Sequence, residues 1–213
     1  MRSAIFFIYI NLLFSLILTA QGLQGKIKNN ETKRIVCYGN SITAGFGVDP
    51  GQAYPFILQK LIQAAGKDYE VVNAGLSGET SAGGLTRIDW ILKQPVDVFI
   101  LELGGNDGLR GLPLELTEKN LQAIVSKVKS KYPQAKMVIA GMKVPPNMGE
   151  VYENQFINIF PALANKNHAL LIPFLLKGVG GNPSLNQADG IHPNPEGHKI
   201  VANNVFQAII EML

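Results

Sequence analysis

The chain has 213 residues, 46% of them hydrophobic and 16% charged, with a formal net charge of +3. That length suits one domain with its own core, and charges spread without like-signed blocks give no basis for a nucleic-acid partner. The single cysteine, Cys37, rules out an internal disulfide and sits in the apolar run RIVCYG, where it reads as a small buried hydrophobe rather than a reactive thiol.

Residues 1–22 carry Arg2, an apolar run over 4–18 and then small and polar residues. This is the layout of a secretory signal peptide, with cleavage after Ala20 or Gly22. The competing reading is an uncleaved anchor, for which the run is short and is interrupted by Asn11 and Ser15. Residues 23–33 form a polar lead-in and residues 34–213 the folded domain. The mature protein is expected to be exported, periplasmic or secreted, monomeric, and without a stable membrane span.

Five apolar runs follow, at 34–39, 70–75, 97–103, 136–142 and 169–174. Most are continuous rather than alternating, as strands buried on both faces are. Helical patterns separate them, starting at Tyr54, Ser81, Thr117 and Val151, with a last one over 195–213. The third is the clearest: Leu121, Ile124, Val125 and Val128 share a face and Thr117 stands as its N-cap. Pro161 is expected to kink or end the fourth. Strand alternating with helix predicts a three-layer α/β/α sandwich around a five-stranded parallel sheet. In such folds the ligand crevice lies beyond the carboxyl ends of the strands.

Ser41, in IVCYGNSITAGFGVDPG, follows the first strand among several glycines. Neither G-x-x-x-x-G-K-[ST] nor G-x-G-x-x-G is present to make a phosphate cradle, and G-x-S-x-G is absent as well. The serine must be judged by its companions. A serine hydroxyl becomes a nucleophile when a base takes its proton and a third group orients that base. ADGIHPNP supplies Asp189 and His192 three residues apart, before the last helix. Acyl transfer also needs donors aimed at an oxyanion. Gly78 in LSGET can offer its backbone N–H and Asn106 in LGGND a side-chain amide. Each alone is more often a turn former. Together they stand in the loops of different strands.

The blocks GNSIT, NAGLSGETSAGG, LGGNDGLRG and DGIHPNPEGH, in this order and spacing, resemble the SGNH hydrolase family, the GDSL esterases/lipases, over most of the chain from Arg34. The resemblance is greatest to the bacterial arylesterase branch that includes lysophospholipase/acyl-CoA thioesterases. It implies a flavodoxin-like fold, Ser41 as nucleophile, His192 as general base and then acid, and Asp189 as its orienting group. Gly78 and Asn106 would join the Ser41 backbone N–H in the oxyanion hole. Where the family usually has Gly-Asp-Ser, this chain has Asn40, which keeps the shape and an acceptor but not the charge.

The expected function is hydrolysis of carboxylic esters through a serine acyl-enzyme: arylesters, short and medium acyl esters, lysophospholipids or thioesters. The alternatives are a carbohydrate O-acetyl esterase and, from another class, a non-catalytic sugar- or lipid-binding domain. No cofactor is expected, and the three scattered histidines predict no metal. An acyl groove is expected from Leu109, Leu112, Leu114, Val144 and Met148 in two loops that also carry prolines. His198 reads as a surface residue of the last helix, His168 as a turn residue, and Trp90 with Ile91 as part of an inward apolar face. Asp107 reads as a brace for its loop.

Overall fold

The computed structural model describes residues 32–213; the expected leader and all but the last two residues of the lead-in lie outside the described residues. The apolar runs become β1 (Lys33–Gly39), β2 (Tyr69–Gly75), β3 (Val98–Glu102), β4 (Lys136–Ala140) and β5 (Leu170–Ile172). They form one sheet in the order β2-β1-β3-β4-β5, every neighbouring pair parallel. Ile35, Val36, Cys37 and Tyr38 of β1 and Val98, Phe99, Ile100 and Leu101 of β3 are all buried. Strands covered on both faces have no solvent side to alternate toward, which accounts for the continuous runs.

Helices cover both faces. α2 (Tyr54–Ala64) packs against α7 (Pro195–Ile209) in one layer; α3 (Ser81–Ile91), α5 (Leu114–Lys131) and α6 (Glu150–Asn167) pack side by side in the other. Two short helices, α1 (Ser41–Ala44) and α4 (Gly105–Leu109), follow β1 and β3 directly. Among the described residues no helix is long and apolar enough to cross a membrane. From β1 the chain first goes to β2 on one side and then returns to β3 on the other. That reversal opens a crevice at the carboxyl ends of β1 and β3, where α1 and α4 begin.

Several local expectations are corrected. Helix α5 starts one turn before Thr117, after Pro113 at its N-cap, and Thr117 is buried inside its first turns. Of the two effects expected of Pro161, an end to the helix does not occur: α6 runs through it, with Phe156, Ile159, Phe160, Leu163 and Ala164 buried on either side, so packing holds the helix through the lost hydrogen bond. Trp90 is 68% exposed, because the inward face of α3 runs through Ser81, Gly84 and Ile88 and a residue two past Ile88 points away. His198 is buried, on the same stripe of α7 as Val201, Ala202, Val205 and Ile209. Its Nδ1 accepts the Tyr54 backbone N–H at 3.3 Å. His168 does end α6, in a left-handed conformation.

Candidate active site

Ser41 opens α1, and the chain around it is fixed from both ends. The Asn40 side chain caps the turn by accepting the Ile42 N–H at 3.0 Å, while the Gly45 N–H closes it on the Ser41 carbonyl at 3.0 Å. Glu102, the last residue of β3, reaches across to accept the Asn40 N–H at 3.0 Å and the Thr43 hydroxyl at 2.7 Å. Gly39 must be glycine there, since a Cβ would overlap both the Thr43 hydroxyl and the Glu102 carboxyl.

His192 comes from the loop before α7. Its Nε2 lies 2.9 Å from Ser41 Oγ and its Nδ1 2.7 Å from Asp189 Oδ2. The other carboxylate oxygen of Asp189 accepts the backbone N–H of Ile191 at 2.9 Å and of His192 at 3.0 Å. One aspartate thus shapes the turn and orients the ring. Burial pushes Asp189 up, but the His192 backbone and ring and the Ile191 N–H outweigh it and bring the carboxyl down to about 2. With a proton on Nδ1 directed at this carboxylate, Nε2 is the acceptor for the Ser41 hydroxyl. Phe46 lies over the imidazole with ring centres 4.8 Å apart. Gln187 ties the loop down: its amide donates to the carbonyls of Phe46 at 2.7 Å and Pro193 at 3.1 Å, and its backbone N–H to the His192 carbonyl at 2.8 Å.

The loops after β2 and β3 meet beside α1. Asn106, in α4, donates one amide hydrogen to the Glu79 carbonyl at 2.9 Å, which leaves the other free for a ligand. Gly78, the residue before Glu79, is exposed and has φ +79°, which glycine adopts without strain. Its carbonyl accepts from Arg110 at 3.0 Å. Behind these groups Asp107 accepts from Ser81 N–H at 2.8 Å, Ser81 Oγ at 2.5 Å and Thr117 Oγ1 at 3.3 Å, the brace its position suggested. Arg87 donates to both oxygens of Glu79, at 2.6 and 2.5 Å, and to the Ala74 carbonyl at 2.8 Å. The Gly78 loop is thereby anchored to the end of β2.

Of the five expected groove residues, Val144 is misplaced: it is buried beneath α4, where a Cβ at Gly108 would strike it. Leu109 is exposed, and Leu112, Leu114 and Met148 are half-buried. The two loops do meet, since the Tyr152 hydroxyl donates to the Leu112 carbonyl at 3.0 Å and Met148 borders Gly111. Phe46, Leu76 and Ile191, all exposed, stand in the same loops as Ser41, Gly78 and His192. Single apolar residues in glycine-rich loops have no periodic signature, so sequence reasoning passed over them, as it did Gln187 and Glu102.

Residues 37–200 match the model of the GDSL-like lipase/acylhydrolase family. The chain is 38% identical to the esterase TesA of Pseudomonas aeruginosa over 180 residues, 84% of this chain and 89% of the relative. It is 36% identical to thioesterase 1/protease 1/lysophospholipase L1 of Escherichia coli K12 over 170 residues, 79% of each. Among solved structures, the psychrotrophic esterase EstA from Pseudoalteromonas sp., inhibited by monoethylphosphonate, superposes with a TM-score of 0.79 at 30% identity, covering 84% of this chain and 98% of that one.

Proposed function

The chain belongs to the GDSL-like lipase/acylhydrolase family, and on that premise we propose that it hydrolyses carboxylic esters through an acyl-enzyme formed on Ser41. The observation that carries this reading is the unbroken series from Ser41 Oγ through His192 to Asp189, at 2.9 and 2.7 Å. Ser41 Oγ attacks the ester carbonyl carbon as His192 Nε2 takes its proton. The resulting oxyanion is held by the Gly78 and Ser41 backbone N–H groups and the second amide hydrogen of Asn106. The bond to the alcohol oxygen breaks, and His192 gives that oxygen the proton. Water then adds to the acyl-enzyme by the same path and releases the acid. Asp189 stays ionised and orients the ring. Thioesters fit the same steps, with a thiol as leaving group.

On the acyl side we place Leu109, Leu112 and Met148. Each buried methylene is worth up to about 0.8 kcal/mol, so partial burial of two or three favours butyrate-to-octanoate esters over acetate by roughly tenfold. Rates on p-nitrophenyl esters from acetate to palmitate, beside acetylated polysaccharide and lysophospholipid, test this. Acetate as the best substrate would replace the groove by the carbohydrate O-acetyl esterase reading. Mass spectrometry of protein treated with a fluorophosphonate tests the nucleophile: the adduct is expected on Ser41, and an adduct elsewhere ends the mechanism. The leader-like residues 1–22 support export, with a mature N-terminus between Gln21 and Lys26, which intact-mass measurement of the exported protein checks.

A further inference from the structure

Glu102 is fully buried at the carboxyl end of β3, carries no salt bridge among the described residues, and is used by no step of ester hydrolysis. We propose that it is a positioning residue for Ser41: its Oε2 holds the Asn40 backbone N–H and the Thr43 hydroxyl together, and so sets the turn on which the nucleophile rides. The inference rests on Ser41 being that nucleophile.

The two groups held by Oε2 flank Ser41 in sequence, at 3.0 and 2.7 Å, so a shift of the carboxylate moves the turn from both sides. The Tyr54 hydroxyl stands 3.1 Å from Thr43 Oγ1, which can accept from it while donating to Glu102. The other oxygen, Oε1, is buried without a hydrogen-bond partner among the described residues. A carboxyl with an orphaned oxygen and no cation is an expensive way to fill a core, where an apolar side chain of similar volume is often no less stable. What an apolar side chain cannot do is accept from Asn40 and Thr43. Gly39 supports the same point from the opposite strand, because its missing side chain is what leaves room for the carboxyl and the threonine hydroxyl.

The titratable groups facing Glu102 are Cys37 from β1 and Tyr54 from α2, both pushed up by burial; His198 of α7 lies behind Tyr54, pushed down by burial; β4 on the other side of β3 offers Ile139 and Ala140. All are neutral near pH 7. Burial pushes the Glu102 carboxyl up to about 7, so it changes charge in the assay range. An ionised carboxylate accepts more strongly than a neutral acid or an amide. The clamp is therefore tighter at alkaline pH.

The test compares wild type with E102L, E102Q and T43V by kcat and KM on p-nitrophenyl butyrate at pH 6 and 8.5, and by the rate of fluorophosphonate labelling of Ser41. With folding checked by circular dichroism, E102L is expected to lose about tenfold or more in kcat and in labelling rate, with KM within about twofold. E102Q keeps an acceptor and is expected to match wild type at pH 6 and fall roughly three- to tenfold below it at pH 8.5. T43V should lose about threefold, and little more when added to E102L. Wild-type kcat in folded E102L, or a change confined to KM, overturns the proposal. If E102L does not fold, wild-type kcat in both E102Q and T43V at pH 8.5 does so. Labelling of wild type at a residue other than Ser41 removes the nucleophile itself, whereas labelling of Ser41 at equal rates in all variants removes only the role of Glu102.

Discussion

Ser41 rides on a buried turn whose two flanks are tied to a carboxyl in the core, whereas His192 and Asp189 ride on a loop whose bonds lie mostly at the surface. The Asp189 side chain is 38% exposed, and the two turn bonds it accepts are exposed as well. Ser41 is thus placed by the sheet, and His192 by a few local contacts of its own loop. The division teaches where each half is vulnerable: the first through burial and shape, the second through single hydrogen bonds.

The sharpest way to break that comparison is to remove one partner from each half. Ser41→Ala and His192→Ala are each expected to abolish ester turnover, by about 10⁴-fold or more, because both handle the same proton. Thermal unfolding should be little changed in either; substantial turnover in purified Ser41→Ala ends the mechanism. Asn106→Ala comes next, with an expected loss of about 10²-fold in kcat and little change in KM if its free amide hydrogen meets the oxyanion. A KM effect alone makes Asn106 a ground-state contact. Gln187→Ala probes the surface half, where losing the ties to Phe46 and Pro193 is expected to lower kcat by roughly three- to tenfold, since only the placement of His192 changes. An unchanged kcat means that Asp189 and the backbone bond from Gln187 to the His192 carbonyl hold the loop without the Gln187 side chain.

The last prediction concerns the buried half and pH. Glu102 titrates at about 7 in the fold and at 4.5 ordinarily, so between these values the folded state holds the extra proton and its stability falls as pH rises. His198, pushed down to about 4 from 6.5 by burial and then the charge of His192, acts in the opposite sense: its contribution is complete above 6.5 and is lost as pH falls through 4. The two windows overlap and oppose each other. Relative to wild type, E102Q should therefore gain stability from pH 5 to 7.5, on the order of 2–3 kcal/mol by urea denaturation. A constant difference across that range means that the Glu102 carboxyl is not held neutral by the fold.

The sheet and helix layers were legible in the chain because continuous apolar runs alternate with helical periods, whereas the facing of Trp90 and the run of α6 through Pro161 depended on a packed neighbourhood that single residues do not reveal. The meeting of Ser41, His192 and Asp189, and of Asn106 with the Gly78 loop, was legible through their loops, each standing in a polar, glycine-rich segment beside an apolar run. His198 was missed although its spacing to Val201 and Ala202 put it on the buried stripe; polarity was weighed above position. Glu102 gave a fainter signal, an acid set between Leu101 and Leu103 near the end of the run DVFILEL. Its partners lie 62 and 59 residues away, and only the parallel pairing of β1 with β3 brings them together.

Cys37 lies in that same pairing, opposite Ile100, with no exposed surface, and burial pushes its thiol up to about 12. A thiol reagent reacts with thiolate, so the native enzyme should resist alkylation for as long as β1 stays between β2 and β3. The rate at which the thiol is modified then reads how often the middle of the sheet comes apart. The molecule carries its own clock for global opening, and no label need be engineered to start it.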